Sequence, residues 1–479
     1  MADFEKVASF KNAEAFQEFL QKQPYHVPFC ADLSGDLKLG EAHQCMGQTI
    51  GNRWAILPME GWDCEPDGSP SELTRRRWLH FAESGAKLLF GVEACAVMHE
   101  AKSNTRQLTM TPESCDKIAR LLEEMRQVHA AKFGTADDLC IGLQLTHSGR
   151  YAHPNDDAKL ESRTAYSHPL LDKKFHSTPE CVVSDGEIRQ IIEKFHQAAA
   201  FAKKAGFDFV DIKHAHGYLA HELLSAVDRP GDYGGSFENR TRFFRETAEG
   251  IRSCAPGLRL AMRLSLADFL PYIKNAEGQG EPMEWQGHYP YAFGGDGTGY
   301  GWDFTEPAKF VRMAHRDYGL EMICATIGSP YYNVHIQRPA YYAVSDGYPP
   351  PVHPLLQAAR HLEAVKLFKQ LVPEVPIVGS GYTCFQDYLP HVGEAVLRAG
   401  EADYVGIGRM VLSYPEICAD TLAHKPLDRC RICRTFGDCT TAPRHGMVSG
   451  CYPLDHFYRE RPEAARLKEV KKPGKTALR

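Results

Sequence analysis

One stretch of this chain brings several proton-active side chains to the end of a single apolar run. Phe207 to Ile212 reads as a buried strand, and it leads straight into Lys213, His214, His216 and Tyr218. A strand end that delivers several donors to one point can carry out acid–base chemistry, and barrel enzymes build their sites there. A second pattern suits an anion. Gly379-Ser380-Gly381 and Gly406-Ile-Gly408-Arg409 each follow a short apolar run. Glycines let main-chain N–H groups approach a phosphate closely, and Arg409 adds positive charge. A third pattern is Cys430-x2-Cys433-x5-Cys439-x11-Cys451. Grouped thiolates suit a zinc ion or an iron–sulfur cluster, with unliganded thiols as the alternative.

These residues need a scaffold. Eight short β-rich runs recur along the chain: Arg53–Met59, Lys87–Phe90, Cys140–Thr146, Phe207–Ile212, Leu258–Leu264, Glu321–Ala325, Pro376–Ser380 and Asp403–Ile407. They are almost continuously apolar, as strands buried on both faces must be. Helical patterns separate them. Ser184–Ala205 is the clearest, with Ile188, Ile191, Ile192, Phe195, Ala198 and Ala202 at helical spacing behind a Ser184/Glu187 capping box. Alternating β and α units imply a parallel sheet, and eight of them imply a closed (β/α)8 TIM barrel. The open doubly wound sheet is the alternative, but no G-x-G-x-x-G follows the first run. The expected division is a leader and cap over 1–50, the barrel over 51–415, and a cysteine-rich extension with a tail over 416–479. Within the barrel, the glycine- and aromatic-rich 265–303 reads as a long loop over the mouth, and 328–354 as a substrate loop. Residues 456–479 read as an exposed helix or frayed end.

Composition narrows the function classes. The chain has 479 residues, 43% hydrophobic and 24% charged, which is ordinary for a globular protein. Its 55 basic and 61 acidic residues are well mixed at a net charge of −6, so a nucleic-acid partner is not expected. No signal-peptide pattern opens the chain, and no apolar run approaches a membrane span. A cytoplasmic location is therefore expected. The 15 cysteines are an odd number and should stay reduced there. Cys140 and Cys324, on apolar runs, read as small buried hydrophobes.

The segments His216-Gly-Tyr-Leu-Ala-His-Glu-Leu-Leu-Ser225 and Asp232-Tyr-Gly-Gly-Ser-Phe-Glu-Asn-Arg240 resemble the fourth strand and following helix of the Old Yellow Enzyme family. Those proteins are FMN-dependent NADH:flavin oxidoreductases. The likeness runs from about Asn52 to Leu412 and implies an FMN barrel. It places Pro58, Met59 and Ala94 against the flavin ring, with Gln144, in Gln-Leu-Thr-His-Ser-Gly-Arg150, at its pyrimidine edge. Arg263 would stand near N1 and O2, where a fixed cation tunes the reduced flavin. Gly379, Ser380, Gly381, Gly408 and Arg409 would hold the phosphate. Lys213 and His216 take the places that bond the substrate's activating oxygen, and Tyr218 the place of the proton donor. His147 matches a third-strand histidine of the family, and Tyr331 and Tyr332 are candidates for the pocket wall. Two positions depart from the pattern. Lys213 replaces a histidine, and Glu60 stands where relatives carry Thr or Cys. Glu60 is a substrate group, a neutral carboxyl or a partner of Lys213.

The late cysteines resemble those of 2,4-dienoyl-CoA reductase and trimethylamine dehydrogenase, which implies a [4Fe–4S] cluster on Cys430, Cys433, Cys439 and Cys451. The middle gap is longer than in those relatives. Those relatives also carry an FAD- and NAD(P)H-binding half, which is not expected here. Electrons would then come from NAD(P)H docking directly, or pass to a separate electron-transfer flavoprotein or ferredoxin. The leading expectation is reduction of an activated C=C bond of a small molecule, or the reverse desaturation. An amine dehydrogenase or demethylase, and a non-catalytic flavin- or metal-binding protein, are the alternatives. A homo-oligomer is compatible with all of them, and the substrate is not legible.

Overall fold

The computed structural model describes residues 4–471, so the expectations for 1–3 and 472–479 lie outside it. All eight apolar runs are strands: β1 (Trp54–Ile56), β2 (Leu88–Leu89), β3 (Cys140–Thr146), β4 (Phe209–Ile212), β5 (Arg259–Ser265), β6 (Leu320–Thr326), β7 (Ile377–Gly379) and β8 (Tyr404–Ile407). Every neighbouring pair is parallel. β8 pairs with β1 and β2 with β3, so the sheet closes into a barrel. A further piece, Ala94–Ala96, extends the second strand along β3, with Ala94 opposite Gln144.

Between and after the strands run α1 (Glu72–Ala82), α2 (Pro112–Phe133), α3 (Asp185–Ala205), α4 (Arg242–Cys254), α5 (Thr305–Tyr318), α6 (Pro354–Leu371), α7 (Leu389–Arg398) and the short α8 (Ile417–Leu422). α3 starts as the sequence dictates. The Ser184 hydroxyl accepts from the Glu187 N–H, and the Glu187 carboxylate accepts from the Ser184 N–H. Its apolar face, Ile188 through Ala202, is buried. Gly206 ends it at φ 98°, a left-handed conformation that a side chain would strain.

The strands alternate, with one irregularity in β6 between Leu320 and Met322. Val210, Ile212, Leu260, Met262 and Leu264 face the helices in the outer core. Ala55, Leu88, Cys140, Phe209, Ala261, Met322, Val378 and Tyr404, one from each strand, fill the interior. Cys140 and Cys324 are indeed buried fillers of that interior. The antiparallel hairpin His43–Cys45/Gln48–Ile50 closes the N-terminal end and adds Cys45, Met46 and Ile50 to the same core. An N-terminal helix, Ala13–Gln21, packs on the barrel's flank, where Phe16 stacks on Tyr388 at 4.5 Å.

Two segments outside the barrel differ from expectation. The 265–303 loop is not all surface: it carries a hairpin (Tyr272–Lys274/Gly280–Pro282), and Leu266, Phe269, Tyr289 and Phe293 are buried. The tail is not frayed through 470. Two short helices, His456–Arg459 and Glu463–Val470, bury Tyr458, Ala464 and Leu467 against Met447 and Tyr452. Those apolar residues are spaced too sparsely among charges to announce a core. Among the described residues no helix is long and apolar enough to cross a membrane.

Candidate active site

The interior positions change character on climbing the strands. Two residues above Phe209 comes Asp211, and two further comes Lys213. Two above Ala261 is Arg263, and four above Cys140 is Gln144. Strand periodicity of two aims all of them into the barrel axis. They emerge at the C-terminal ends of the strands, beneath a cavity of about 1150 Å³. Pro58, Met59, Glu60, Ala94, Gln144, Lys213, His216, Tyr218, Arg263, Ser380, Gly381, Gly408 and Arg409 all line it. Gly379 does not: it is the last residue of β7, next to the interior-facing Val378 and so turned to the other side of the strand.

Asp211 organises the floor. Its carboxylate accepts from Gln144 Nε2 at 2.5 Å and from the main-chain N–H of Arg263 at 2.5 Å. Burial raises its pKa to about 6, against the pull of those two donors and of the Arg263 and Lys213 charges. Gln144 is thereby held in one orientation. The Arg263 guanidinium is different. Among the described residues its buried Nε has no hydrogen-bond partner. A buried cation with an unused donor is costly unless a ligand completes it. Arg409 repeats the theme on the other side: one nitrogen donates to the Pro339 carbonyl at 3.0 Å, and Nη1 is buried without a partner. Beside it, Gly381 has φ 93°, and a Cβ on Gly408 would press the Met59 sulfur at 3.0 Å. The donor set therefore fits a ligand with an anionic edge at Arg263 and a phosphate near Arg409.

The opposite wall carries titratable side chains. His216 has φ 70°, a strained conformation for a residue with a side chain. Two hydroxyls fix it: its N–H donates to Ser265 Oγ at 3.1 Å, and its carbonyl accepts from Ser329 Oγ at 2.8 Å. Burial first, then the Arg263 and Lys213 charges, drive its ring far below the usual histidine range, so it is neutral. Gln337 Nε2 lies 3.1 Å from His216 Nε2, which as the acceptor leaves Nδ1–H as the donor. Lys213 is lowered to about 8 by burial, with Glu60 opposing and Arg263 reinforcing the shift. Its ammonium rests over the Tyr218 ring, 3.7 Å from the centroid. The Tyr218 hydroxyl lies 3.1 Å from that of Tyr331, which stacks on Tyr151 at 3.8 Å. Glu60 accepts from Ser103 Oγ at 2.9 Å and from Asn104 Nδ2 at 3.5 Å, and burial raises its pKa despite Lys213.

A family model described as "NADH:flavin oxidoreductase / NADH oxidase family" matches residues 44–282. NADPH dehydrogenase of Geobacillus sp. is 31% identical over 249 residues, 49% of this chain and 68% of the relative. The chain belongs to the NADH:flavin oxidoreductase / NADH oxidase family. NADPH dehydrogenase of Bacillus velezensis is 32% identical over 225 residues, 46% of this chain and 61% of the relative. The match thus spans less than two thirds of that relative. Among solved structures, a 2-naphthoyl-CoA reductase complex superposes with a TM-score of 0.65 at 17% identity, covering 91% of this chain and 58% of that one. Morphinone reductase superposes at 0.54 and 20% identity, covering 82% and 91%. At these identities the likeness shows the shared (β/α)8 fold.

Much of the fourth-strand motif in this family member is bracing rather than chemistry. Glu222 is buried, accepting from Arg150 Nε at 2.6 Å and from the Ala165 N–H at 3.0 Å. Tyr233 donates to Glu246, and Arg240 grips Glu306. His147 accepts from the Gly149 N–H at 3.1 Å and is pushed down to about 3 by burial, so it shapes the loop. His214 packs among Phe243, Phe244 and Phe310, away from the cavity. Tyr331 and Tyr332 both reach the wall, but Tyr332 donates its proton to buried Asp268. Three contributors were not singled out from the sequence: Asp211, Ser103 and Gln337. Asp211 alone left a signal, a charge inside an apolar run.

The late cysteines gather unevenly. Cys433, Cys439 and Cys451 feel one another's charge, and Cys433 that of Arg409, while Cys430 is exposed on a turn capped by Asp428. Among the described residues no three of their sulfurs lie within 4.8 Å of one another. A four-thiolate zinc site needs sulfurs about 3.8 Å apart, given Zn–S bonds of about 2.3 Å.

Proposed function

We propose that this protein is an FMN-dependent oxidoreductase that reduces an activated C=C bond at the expense of NAD(P)H. The observation that carries the reading is the convergence of two unlike donor sets on one cavity. Arg263, Gln144 and Arg409 present unused or pre-oriented donors on the floor and rim. Lys213, His216 and Tyr218 present proton-bearing groups on the wall above it. FMN, when bound, would supply hydride to the substrate. Arg263 would balance negative charge at the flavin's pyrimidine edge, Gln144 would bond that edge, and Gly381, Gly408 and Arg409 would hold the phosphate. Pro58, Met59 and Ala94 would pack against the ring.

The wall residues then divide the work. His216 Nδ1–H and the Lys213 ammonium polarise the substrate's activating oxygen and stabilise the charge that develops there. Tyr218 breaks its O–H bond and protonates the carbon opposite the incoming hydride. Burial raises the Tyr218 phenol well above its usual range, so it is protonated and ready at neutral pH. Substitution Tyr218→Phe tests this assignment. It should lower NAD(P)H-dependent reduction of conjugated enones by about 10²- to 10⁴-fold, the usual worth of a positioned acid, while flavin binding persists. Unchanged turnover would remove Tyr218 from the chemistry.

We also assign an iron–sulfur site to Cys430, Cys433, Cys439 and Cys451. The grouping of three of these thiols beside Arg409 supports it. Cys430 stands three residues from Cys433 and could complete the set. Iron and acid-labile sulfide assays on anaerobically prepared protein decide it.

A further inference from the structure

The Tyr218 hydroxyl does not meet the cavity alone. The Tyr331 hydroxyl stands 3.1 Å from it, and both residues line the cavity. Tyr218 follows β4 and Tyr331 follows β6, so two strands deliver one phenol each to a single point.

Tyr331 is held there from several sides. Ser329 is fully buried; its hydroxyl donates to the His216 carbonyl at 2.8 Å and accepts from the Tyr331 N–H at 3.2 Å. One hydroxyl thus ties the β6 loop to the turn that carries His216 and Tyr218. The Ser329 N–H donates to Asn333 Oδ1, and the Asn333 N–H donates to the Ser329 carbonyl, which closes the loop on itself. The Tyr331 ring lies flat on that of Tyr151, with centroids 3.8 Å and planes 6° apart, and Phe175 meets Tyr151 edge-on at 5.2 Å. Gly217, at φ 77°, lets the turn pack against these rings: a Cβ there would meet the Tyr332 ring at 2.9 Å and the Tyr151 hydroxyl at 3.2 Å. Tyr332 itself turns away to Asp268. So many restraints exceed what a wall-filling side chain needs.

We propose that Tyr331 is a positioning residue for the proton transfer. Its hydroxyl donates to the Tyr218 oxygen, aims the Tyr218 proton into the cavity and stabilises the phenolate that the transfer leaves. This role rests on the reading of Tyr218 as the proton donor. A phenol has one proton to donate and lone pairs to accept with. If Tyr218 donated to Tyr331, its proton would be committed to a neighbour and turned from the substrate. With Tyr331 donating, the Tyr218 O–H is free to point at the substrate carbon. In the chemical step that O–H bond breaks, its proton forms the new C–H bond, and its electron pair stays on the phenolate oxygen. The hydride for the other carbon comes from NAD(P)H by way of the flavin. The hydrogen bond from Tyr331 becomes charge-assisted as the phenolate forms, so it is stronger in the transition state than before it. Solvent entering the open cavity after product leaves restores the proton.

Tyr331→Phe tests this role, because the ring and its stack on Tyr151 remain and only the hydroxyl goes. Flavin-loaded protein is reduced anaerobically and mixed with cyclohex-2-enone, and flavin reoxidation is followed against enone concentration in H2O and D2O. The limiting rate should fall by about 10- to 100-fold, the usual worth of a hydrogen bond to a charged group, and the solvent isotope effect should rise. The enone dissociation constant and the rate of flavin reduction by NAD(P)H should stay as in wild type. In a Tyr218→Phe background the same substitution should bring no further loss, because the two phenols act as one unit. Losses that multiply in the double variant overturn the proposal, since Tyr331 would then act without Tyr218. So does a limiting rate equal to wild type, with or without weaker enone binding, which would leave Tyr331 a wall residue. Failure of the underlying reading looks different: Tyr218→Phe would itself reoxidise at the wild-type rate.

Discussion

The two ends of the barrel are built from the same eight strands and do opposite things. At the N-terminal end the inward positions are apolar, and the hairpin residues Met46 and Ile50 seal them. At the C-terminal end the inward positions are Gln144, Asp211, Lys213 and Arg263, and several of their polar atoms are constrained or unpartnered. Packing at the closed end stabilises a structure whose open end holds buried charge, a strained His216 and a carboxyl pushed up to about 6. Stability and function are thus separated along one axis, a few residues apart on each strand.

That separation can be broken deliberately. The largest effect should come from Tyr218→Phe, with its loss of about 10²- to 10⁴-fold in turnover and little change in melting temperature. Ile50→Ala, at the other end, should do the reverse. Ile50 is fully buried, and its truncation should cost about 2–5 kcal/mol by denaturant unfolding, while kcat/KM measured under folding conditions stays unchanged. A kinetic defect in Ile50→Ala would show that the two ends are coupled. Arg263→Ala should weaken FMN binding by about 10- to 100-fold, because it removes a charge-assisted contact worth about 1.5–3 kcal/mol. Without flavin the same substitution should destabilise the protein little, since among the described residues no carboxylate forms a salt bridge with the guanidinium and its buried Nε has no hydrogen-bond partner. The smallest effect concerns pH. Lys213 is held down to about 8, so its ammonium is lost as pH rises through that value. The rate kcat/KM should fall along the same limb, and Lys213→Arg should move that limb out of range.

The fold was almost wholly legible because parallel strands buried on both faces are continuous apolar runs. The wall of the site was legible for a related reason: Lys213, His216 and Tyr218 interrupt apolar sequence at a strand end. Ser103 and Gln337 were not legible. Both reach the cavity from loops, where no periodicity says which way a side chain points. Asp211 left a signal, a charge inside an apolar run, but its partners, Gln144 and the Arg263 main-chain N–H, come from other strands and do not show in sequence. The tail is the largely exposed helical segment expected through 471, with a buried face of Tyr458, Ala464 and Leu467 that is too small to show as amphipathic. The late cysteines were legible as a group, but their uneven exposure is a property of the folded chain.

The most direct measurement is a titration of the purified, folded protein with FMN, followed by flavin absorbance and fluorescence alongside the Arg263→Ala variant. Saturable uptake of one flavin per chain, much weaker in Arg263→Ala, is the predicted result. A protein that is folded and flavin-free yet binds no FMN, or one in which Arg263→Ala binds as tightly as wild type, would contradict the assignment of the open end as a flavin site.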